Sequence, residues 1–499
     1  MRHWLSSIVA SLYRPPAADA IERLQFRALR RALRNADRSV FHREHGLSAV
    51  RSPGEFQARV RIREKSEMGA WWARVAAGEN DVVFNGAPRF FALTSGTTGA
   101  PERVPVSAAG LADYRAQQRE GAFWFVRQRP DTRVLTRATL ALGGRARLGY
   151  TEAGVPFGLI SGIMREHDGL FFMRGRLPSH ETTNIDDWGM KLDAIVGEVE
   201  GHVVGTMSGI PSILLQFLQH ARQTMPPASY ARLARDVELL IVSGVDYRPY
   251  ERQIVELLGH PVEFFNIYVA SEGFLGYQDR PGSKQLRLDP SRVFFEFVPW
   301  AAYAAGELDR RLLLHQLARD EDYVVAITNR SGAFAYVLGD VLTCDENQGH
   351  PLFTIKGRTQ LTLSVVGEKV TVTALENAIA DLARELGESP SEFVVTAEKP
   401  ADARPHYLWL IEECPAWARL GEAETARRLE GLLLRRNANL AQYFGTQIDT
   451  AEVRFVAAHR FDAWMTARAK QKGHGKVPRI FKDPDDLVLL LRGDDGGGA

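Results

Sequence analysis

Several common signatures are missing from this 499-residue sequence, and their absence narrows its class. Only two cysteines occur, Cys344 and Cys414, which excludes a disulfide framework for a chain of this size and favours the reducing cytoplasm. No apolar run approaches the roughly 20 residues that span a bilayer. The formal net charge is +1, so bulk electrostatics predict no nucleic-acid partner. We therefore expect a cytoplasmic protein without a membrane span.

Familiar catalytic motifs are missing as well. The chain contains no Walker A pattern, no G-x-G-x-x-G fingerprint, no H-E-x-x-H pair and no G-x-S-x-G elbow. His42 and His45 lie three residues apart, but no Cys/His cluster accompanies them, so a surface or capping role is favoured over a metal site. P-loop NTPase, dinucleotide-binding, zinc-protease and serine-hydrolase chemistries are therefore disfavoured.

The order of apolar runs predicts an α/β protein with mixed or largely parallel sheets. Apolar runs interpreted as buried strands cover 133–142, 202–207, 237–244 and 262–270, and the segments interpreted as helices between them cover 210–223 and 249–260. Near Gly357 the pattern changes to that of a small α+β unit. We predict a large N-terminal domain over 1–356, a small mobile C-terminal domain over 357–491 and a flexible tail over 492–499. Residues 4–13 are expected to form a docking helix rather than a signal peptide, because a charged amphipathic segment follows.

A stretch rich in hydroxyl groups and glycine, "LTSGTTGAPERVP", runs from Leu93 to Pro105. Its hydroxyl and backbone N–H groups are suited to phosphate oxygens, and glycine permits a close approach. An ordinary polar turn has the same composition. By itself, this stretch leaves both interpretations open.

Further candidates stand where apolar segments end. Glu272 ends one apolar strand, an expensive place for a carboxylate unless a cation or a donor meets it. Asp340 follows another strand and Gly339, a position that turn aspartates also favour. Tyr268 by itself would be interpreted as a core residue. Lys476 lies in a basic, glycine-broken segment whose other lysines indicate a solvated face.

Taken in chain order, these segments resemble the motifs of the adenylate-forming superfamily. "TSGTTGAP" resembles its phosphate loop, "NIYVASEGFLG" its aromatic-x-x-[ST]-E segment and "FAYVLGDV" its ribose motif, while "KGRTQ" resembles its hinge and "GHGKVPRI" its catalytic-lysine segment. "ALRNADRSVFHREHGL", the Val-Pro pair after the loop, "YVASEGFLG" and "KVPR" are similar to the auxin-responsive Gretchen Hagen family of acyl-acid amido synthetases. The resemblance extends from about Ala32 to Arg479.

The resemblance implies a role for each matched residue. The residues implied to hold the β- and γ-phosphates of ATP are Thr94, Ser95, Gly96, Thr97, Thr98 and Gly99. The residues implied to surround the adenine are Ser243, Gly244, Tyr268, Ala270 and Ser271. Glu272 is implied to engage Mg²⁺ as a catalytic group, Asp340 to bind the ribose hydroxyls and Arg358 to contact the nucleotide at the hinge. Lys476 is implied to neutralise charge that develops on the α-phosphate and the carboxylate.

Three residues depart from the family pattern. Glu102 stands where many superfamily members carry a basic residue, for which Arg103 is a possible substitute. Ala335 lies in the segment where the plant proteins usually have arginine, and Gln360 replaces an acidic hinge residue. The absence of that arginine, with Ala335 and Val337 in the segment, weakens any inference to the usual amino-acid acceptor, and Gln360 leaves open whether the small domain alternates as in the family.

The implied reaction has two halves. A carboxylate attacks the α-phosphorus of MgATP and releases pyrophosphate, and an amine such as an amino acid then displaces AMP to form an amide. Two alternatives stay open: transfer to a thiol of coenzyme A or of a protein, and a degenerate nucleotide- or acyl-binding protein without turnover. The acyl pocket is expected around 202–217, where Met207 and Phe217 are either pocket or core residues. The identity of the carboxylate and the oligomeric state do not follow from the sequence.

Overall fold

The computed structural model describes most of the chain. The described residues are 4–93, 102–167, 175–244, 246–347, 349–359, 362–363, 370–398, 400, 403–436, 440, 444–445, 448–472, 477–481 and 484–491. They form two compact units. The large unit ends at Ile355, and the small unit consists of the residues from Lys356 onward together with Arg248–Tyr250.

The elements up to residue 358 alternate between helices and strands. The helices are α1 Trp4–Leu12, α2 Ile21–Asn35, α3 Val40–Glu44, α4 Pro53–Arg59, α5 Lys65–Ala76, α6 Ala108–Gln128, α7 Ile160–Glu166, α8 His180–Thr183, α9 Trp188–Val199, α10 Pro211–Thr224, α11 Pro227–Asp236, α12 Arg248–Leu258 and α13 Trp300–Ala304. The strands are β1 Phe90–Leu93, β2 Arg103–Val106, β3 Ala138–Leu142, β4 Gly149–Tyr150, β5 Pro156–Gly158, β6 Arg176–Leu177, β7 Val204–Gly209, β8 Leu239–Val242, β9 Glu263–Ala270, β10 Gly273–Gln278, β11 Leu286–Leu288, β12 Phe294–Pro299, β13 Leu312–Leu313, β14 Glu321–Thr328, β15 Tyr336–Glu346 and β16 Leu352–Arg358.

Among the described residues, twelve strands form one large mixed sheet in the order β13-β12-β14-β15-β16-β11-β10-β9-β8-β7-β3-β6. Strands β6, β3, β7, β8 and β9 pair in parallel, and the helices between them supply the crossovers that parallel pairing needs. From β9 to β10 onward, the pairings given by the structure are antiparallel. A separate sheet has the order β2-β1-β5-β4. The predicted α/β class with mixed sheets is confirmed.

Local sequence explains where the main elements begin and which faces they bury. Helix α6 starts after Ser107, whose side chain accepts a hydrogen bond from the Gly110 amide and so satisfies one of the unpaired amides at the helix start. Its apolar residues, such as Phe125, pack against Phe265 and Tyr277 of the sheet. Because α6 is apolar on that face, the sheet side chains beneath it are shielded from water.

The small unit has its own sheet and core. Its elements are β17 Thr362–Leu363, β18 Val370–Thr371, α14 Val372–Leu386, β19 Phe393–Glu398, β20 His406–Glu412, α15 Pro415–Leu420, α16 Glu422–Arg436, β21 Glu452–Val456, α17 Ala458–Lys472 and α18 Pro484–Leu491. Strand β20 pairs antiparallel with β19 and parallel with β21. Trp409 and Trp417 are fully buried in the core beside this sheet.

Across the described parts of the chain, no helix is both long and apolar enough to cross a membrane.

Candidate functional site

The parallel strands β3, β7, β8 and β9 end at one edge of the large sheet, and candidate residues follow two of them. Ser243 and Gly244 come directly after β8. Gly244 has φ +86°, a left-handed backbone that glycine adopts without steric cost. In the pairing of β8 with β9, Val242 lies opposite Asn266, so Tyr268 stands only two residues further along β9. The carboxyl edge of an open α/β sheet is where ligands commonly bind.

Tyr268 and Asp340, which belong to motifs 72 residues apart, meet in the structure. The Tyr268 hydroxyl donates a hydrogen bond of 2.6 Å to the Asp340 carboxylate at Oδ2. Both residues are only 5% exposed. Most of the Tyr268 ring therefore contacts protein, while its hydroxyl supplies one of the donors that a buried carboxylate requires.

A β-bulge places Asp340. In the antiparallel pairing of β14 with β15, Val324 lies opposite Val341 whereas Ala326 lies opposite Val337, so β15 carries two extra residues at this point. Gly339 lies within the bulge with φ +84°, which explains why glycine precedes the aspartate. Asp340 and Val341 are both buried, although neighbours in a regular strand point to opposite faces.

Glu272 lies in the tight turn that joins β9 to β10. Its backbone carbonyl accepts a hydrogen bond of 2.8 Å from the side-chain amide of Asn329. The Asn329 side chain in turn accepts hydrogen bonds from the amides of Ser331 and Ala333. The loop after β14 therefore holds the turn that carries Glu272.

Ser271, which follows Ala270 at the end of β9, connects the same turn to the four-stranded sheet. Both are half-buried, and the Ser271 hydroxyl donates a 3.0 Å hydrogen bond to the carbonyl of Leu93, the last residue of β1. The six predicted phosphate-binding residues that follow Leu93, from Thr94 to Gly99, lie outside the described residues. Their assignment stays a prediction, although the strand leading to them is held against the Glu272 turn.

The candidates of the C-terminal part are described only in part. Arg358 is the last residue of β16, and Lys476 lies outside the described residues, as does Gln360. The residues directly after Lys476 are held firmly, because Arg479 is 9% exposed and interacts with the carboxylates of Glu376 and Glu392. Backbone hydrogen bonds also join Arg479 and Phe481 to Val395 of β19.

Two of the departures from the family pattern have identifiable surroundings. The Glu102 carboxylate lies 4.0 Å from the Lys65 ammonium, and burial raises the pKa of Glu102 while Lys65 opposes that shift. The Arg103 guanidinium lies over the Phe157 ring, 4.7 Å from its centre. Ala335 is fully buried with φ +48°, so this position is packed into the core.

Sequence reasoning missed two groups that support the site. Asn329 is one, and the other is a cluster in which three guanidinium groups surround one carboxylate. We call it the Asp113 cluster; its members are Asp113, Arg31, Arg292 and Arg330. Arg330 directly follows Asn329, so the cluster fastens the same loop. The polar segment "TNRSGA" between two apolar strands was a signal in the sequence, but its partners are far away along the chain.

The region expected to form the acyl pocket contributes core residues instead at two positions. Met207 and Phe217 are both fully buried and lie on β7 and α10 respectively. We therefore interpret Met207 and Phe217 as core residues.

The candidate site includes one carboxylate at the turn between β9 and β10, that of Glu272. Among the described residues, no group of three or more His, Cys, Asp or Glu side chains could hold a metal ion. Mg²⁺ commonly binds through one or two carboxylates together with substrate phosphates and water. Glu272 is the carboxylate that could serve in that way.

Family models and a curated protein are similar to parts of this chain. Models described as the GH3 family N-terminal, central and C-terminal domains match residues 17–225, 286–358 and 373–485. A probable indole-3-acetic acid-amido synthetase GH3.4 from Oryza sativa subsp. japonica is 27% identical over 251 residues, which cover 46% of this chain and 39% of the rice protein's length.

Two solved structures resemble this chain over most of its length. The AtGH3.15 acyl acid amido synthetase in complex with 2,4-DB matches with a TM-score of 0.78 and 17% identity, covering 94% of this chain and 93% of that one. A 2-hydroxyisobutyryl-CoA ligase in the postadenylation state matches with a TM-score of 0.62 and 15% identity, covering 96% of each chain. At these identities the two structures show a shared fold.

Proposed function

The chain belongs to the GH3 family, and on that premise we propose that it activates a carboxylic acid with ATP and transfers the acyl group to an amine. The observation that supports this most directly is the hydrogen bond between Tyr268 and Asp340, because it joins two separate nucleotide motifs in one buried place. Ser243, Gly244 and the Glu272 turn lie on the neighbouring strand ends. The substrates, the reaction and a cytoplasmic location are parts of the proposal.

The proposed chemistry begins with a carboxylate, which is a poor electrophile. ATP with Mg²⁺ supplies the activation: attack at the α-phosphorus forms a mixed anhydride and releases pyrophosphate. The amine then attacks the acyl carbon and AMP leaves with the bonding electrons. The protein contributes mainly by positioning the reactants and neutralising charge.

The candidates for phosphate, ribose and metal binding and the candidate lysine have places in this scheme. The loop from Thr94 to Gly99 would hold the phosphates, and Asp340 would accept hydrogen bonds from the ribose. Glu272 would provide the protein ligand for Mg²⁺. Lys476, carried by the small unit, would neutralise charge at the α-phosphate, and motion of that unit would exclude water from the adenylate.

The proposal is tested by carboxylate-dependent exchange of pyrophosphate into ATP across aryl, indolyl and fatty acids. We expect Lys476→Ala to lose most of this exchange while retaining ATP binding, and Lys472→Ala to serve as a control that retains both. Glu272→Ala should raise the Mg²⁺ concentration required. Exchange at wild-type rates in Lys476→Ala would remove that residue from its role.

The acceptor is decided by trapping the product with amino acids or with coenzyme A and identifying it by mass spectrometry. An amide supports the proposal. A thioester would instead support a thiol ligase, as the 2-hydroxyisobutyryl-CoA ligase of similar fold is named. ATP binding without exchange for any acid would favour a nucleotide-binding protein without turnover.

A further inference from the structure

We propose that the hydroxyl group of Tyr268 controls recognition of the ribose, because it orients the Asp340 carboxylate. This inference rests on the proposed function, in which Asp340 binds the ribose hydroxyls of ATP. Tyr268 then acts through Asp340, as a positioning residue whose hydroxyl has a task separate from that of its ring.

The contact is built by the tertiary fold. Strands β9 and β15 are four positions apart in the large sheet, with β10, β11 and β16 between them. In a flat sheet, strands four positions apart would be separated by about 19 Å. The distance between the Tyr268 hydroxyl and Asp340 Oδ2 is 2.6 Å, so the sheet must curl strongly at this place. The curl brings the two side chains together away from water, since each residue is 5% exposed.

A hydroxyl group at this position has a specific effect on a carboxylate. Rotation of an aspartate carboxyl group about its terminal torsion is only weakly restricted by rotamer preference. The bulge with Gly339 fixes where the Asp340 side chain starts, but it does not fix the plane of the carboxyl group. A hydrogen bond to Oδ2 fixes that plane. A carboxylate has acceptor sites for about four hydrogen bonds, so it can accept the tyrosine and the ribose together.

The burial of Tyr268 separates the two tasks of the side chain. A tyrosine that only contacted the base would need an accessible ring and no particular partner for its hydroxyl. Tyr268 belongs to the main hydrophobic core cluster and places its hydroxyl on a buried carboxylate. Phenylalanine at this position would keep the ring and the packing, and would remove only the hydroxyl.

The experiment compares the binding of ATP, 2′-deoxy-ATP and 3′-deoxy-ATP to the full chain by calorimetry with Mg²⁺ present. The variants are Tyr268→Phe, Asp340→Asn and the double variant. Tyr303→Phe is a matched control, because the Tyr303 hydroxyl also bonds a carboxylate at 2.6 Å, that of Glu64. Thermal unfolding of each variant is measured in parallel.

We expect the wild-type protein to prefer ATP over at least one deoxy analogue about tenfold or more, since hydrogen bonds to charged groups have effects of that size. Tyr268→Phe should reduce the preference to about threefold or less, and Tyr303→Phe should leave it unchanged. In the Asp340→Asn background, removal of the Tyr268 hydroxyl should cause no further loss. Such non-additivity is the mark of one residue acting through the other.

The possible outcomes distinguish a failure of this inference from a failure of the proposed function. Full ribose preference in Tyr268→Phe would overturn the inference and leave the proposed function standing. Equal weakening of ATP and both analogues would also overturn it, because it would show a general packing role. Wild-type binding without any ribose preference would remove Asp340 from the ribose and overturn the inference, while pyrophosphate exchange would still decide the proposed function. If Tyr268→Phe does not fold, Asp340→Asn tests the premise of the inference: ribose preference kept in that variant refutes the inference, and preference lost at unchanged thermal stability supports Asp340 as the ribose ligand through which Tyr268 would act.

Discussion

The Asp113 cluster yields a quantitative prediction about the loop behind the Glu272 turn. Asp113 is the only carboxylate in contact with three guanidinium groups among the described residues, at 3.0 Å from Arg31, 3.2 Å from Arg292 and 2.5 Å from Arg330. Its side chain is 8% exposed. Burial lowers the pKa of Arg31, and the other two guanidinium groups add to that shift while Asp113 opposes it. Replacing Asp113 with alanine would leave three positive charges facing one another.

The loss in free energy of unfolding caused by Asp113→Ala can be estimated from the burial of the three arginine side chains. Removing one member of a buried ion pair typically costs about 3–5 kcal/mol. The three arginine side chains are 19–31% exposed and would regain part of their hydration. We therefore expect Asp113→Ala to destabilise the large unit by about 2–4 kcal/mol, discounted for solvent screening. Asp113→Asn, which retains an acceptor oxygen without the charge, should cost less.

Differential scanning calorimetry of the large-unit transition measures this effect. A loss of about 2–4 kcal/mol corresponds to a fall in Tm of roughly 3–6 °C for a unit of this size, because the unfolding entropy is about 2.1 cal/mol/K per residue. Glu307→Ala is the control, because the Glu307–Arg310 pair is exposed on both sides and separated by 3.9 Å. Such pairs contribute about 0–1 kcal/mol. If Asp113→Ala lowers Tm no more than Glu307→Ala, the role assigned to the Asp113 cluster is wrong.

Three further predictions concern the side chains of Asn329, Glu412 and Arg479. Asn329→Ala removes the side-chain donor to the Glu272 carbonyl and should raise the Mg²⁺ concentration that pyrophosphate exchange requires. Asn347→Ala is the control, because it loses a similar amide-to-carbonyl hydrogen bond elsewhere and should leave that requirement unchanged. Equal Mg²⁺ requirements in the two variants would contradict the prediction. Burial, reinforced by a neighbouring carboxylate, raises the pKa of Glu412 to about 7 from 4.5, so the stability of the small unit should fall as pH rises through that window. Glu412→Gln should therefore increase the free energy of unfolding of the small unit at pH 8 by about 1–2 kcal/mol, after discounting for partial exposure, and so raise its Tm at pH 8 but not at pH 5; a pH-independent effect would refute the assignment. Arg479→Met leaves two glutamates, whose side chains are only 16% and 13% exposed, without their shared cation. It should destabilise the small unit by about 3 kcal/mol in calorimetry, with partial recovery in Arg479→Lys; equal Tm values would count against it.

Some of the site could be predicted because its signals are local. Apolar runs separated by turn residues predicted strands that the structure places at β7, β8 and β9, since burial on both faces of a parallel sheet demands continuous apolar sequence. Gly339 before Asp340 was visible as a motif, although its reason, a left-handed residue within a bulge, was not. The phosphate loop and Lys476 lie outside the described residues, so their roles stay predictions.

Other parts of the site could not be predicted because their partners are remote in the chain. Asn329 supports a turn 57 residues earlier, and Asp113 pairs with Arg330, 217 residues later. Charged and amide residues in loops are common and are usually solvated. Nothing in the surrounding sequence distinguishes those few whose loop is folded against a distant strand.

By itself, the sequence determined the α/β class, the family and the order of the nucleotide motifs, because each depends on short segments whose periodicity or composition is read locally. Only the tertiary structure decided which of those residues meet. Tyr268 and Asp340 lie on strands with three others between them, and their contact depends on the curl of the whole sheet. Curl is the sum of twists, bulges and packing over many residues, so no single segment encodes it.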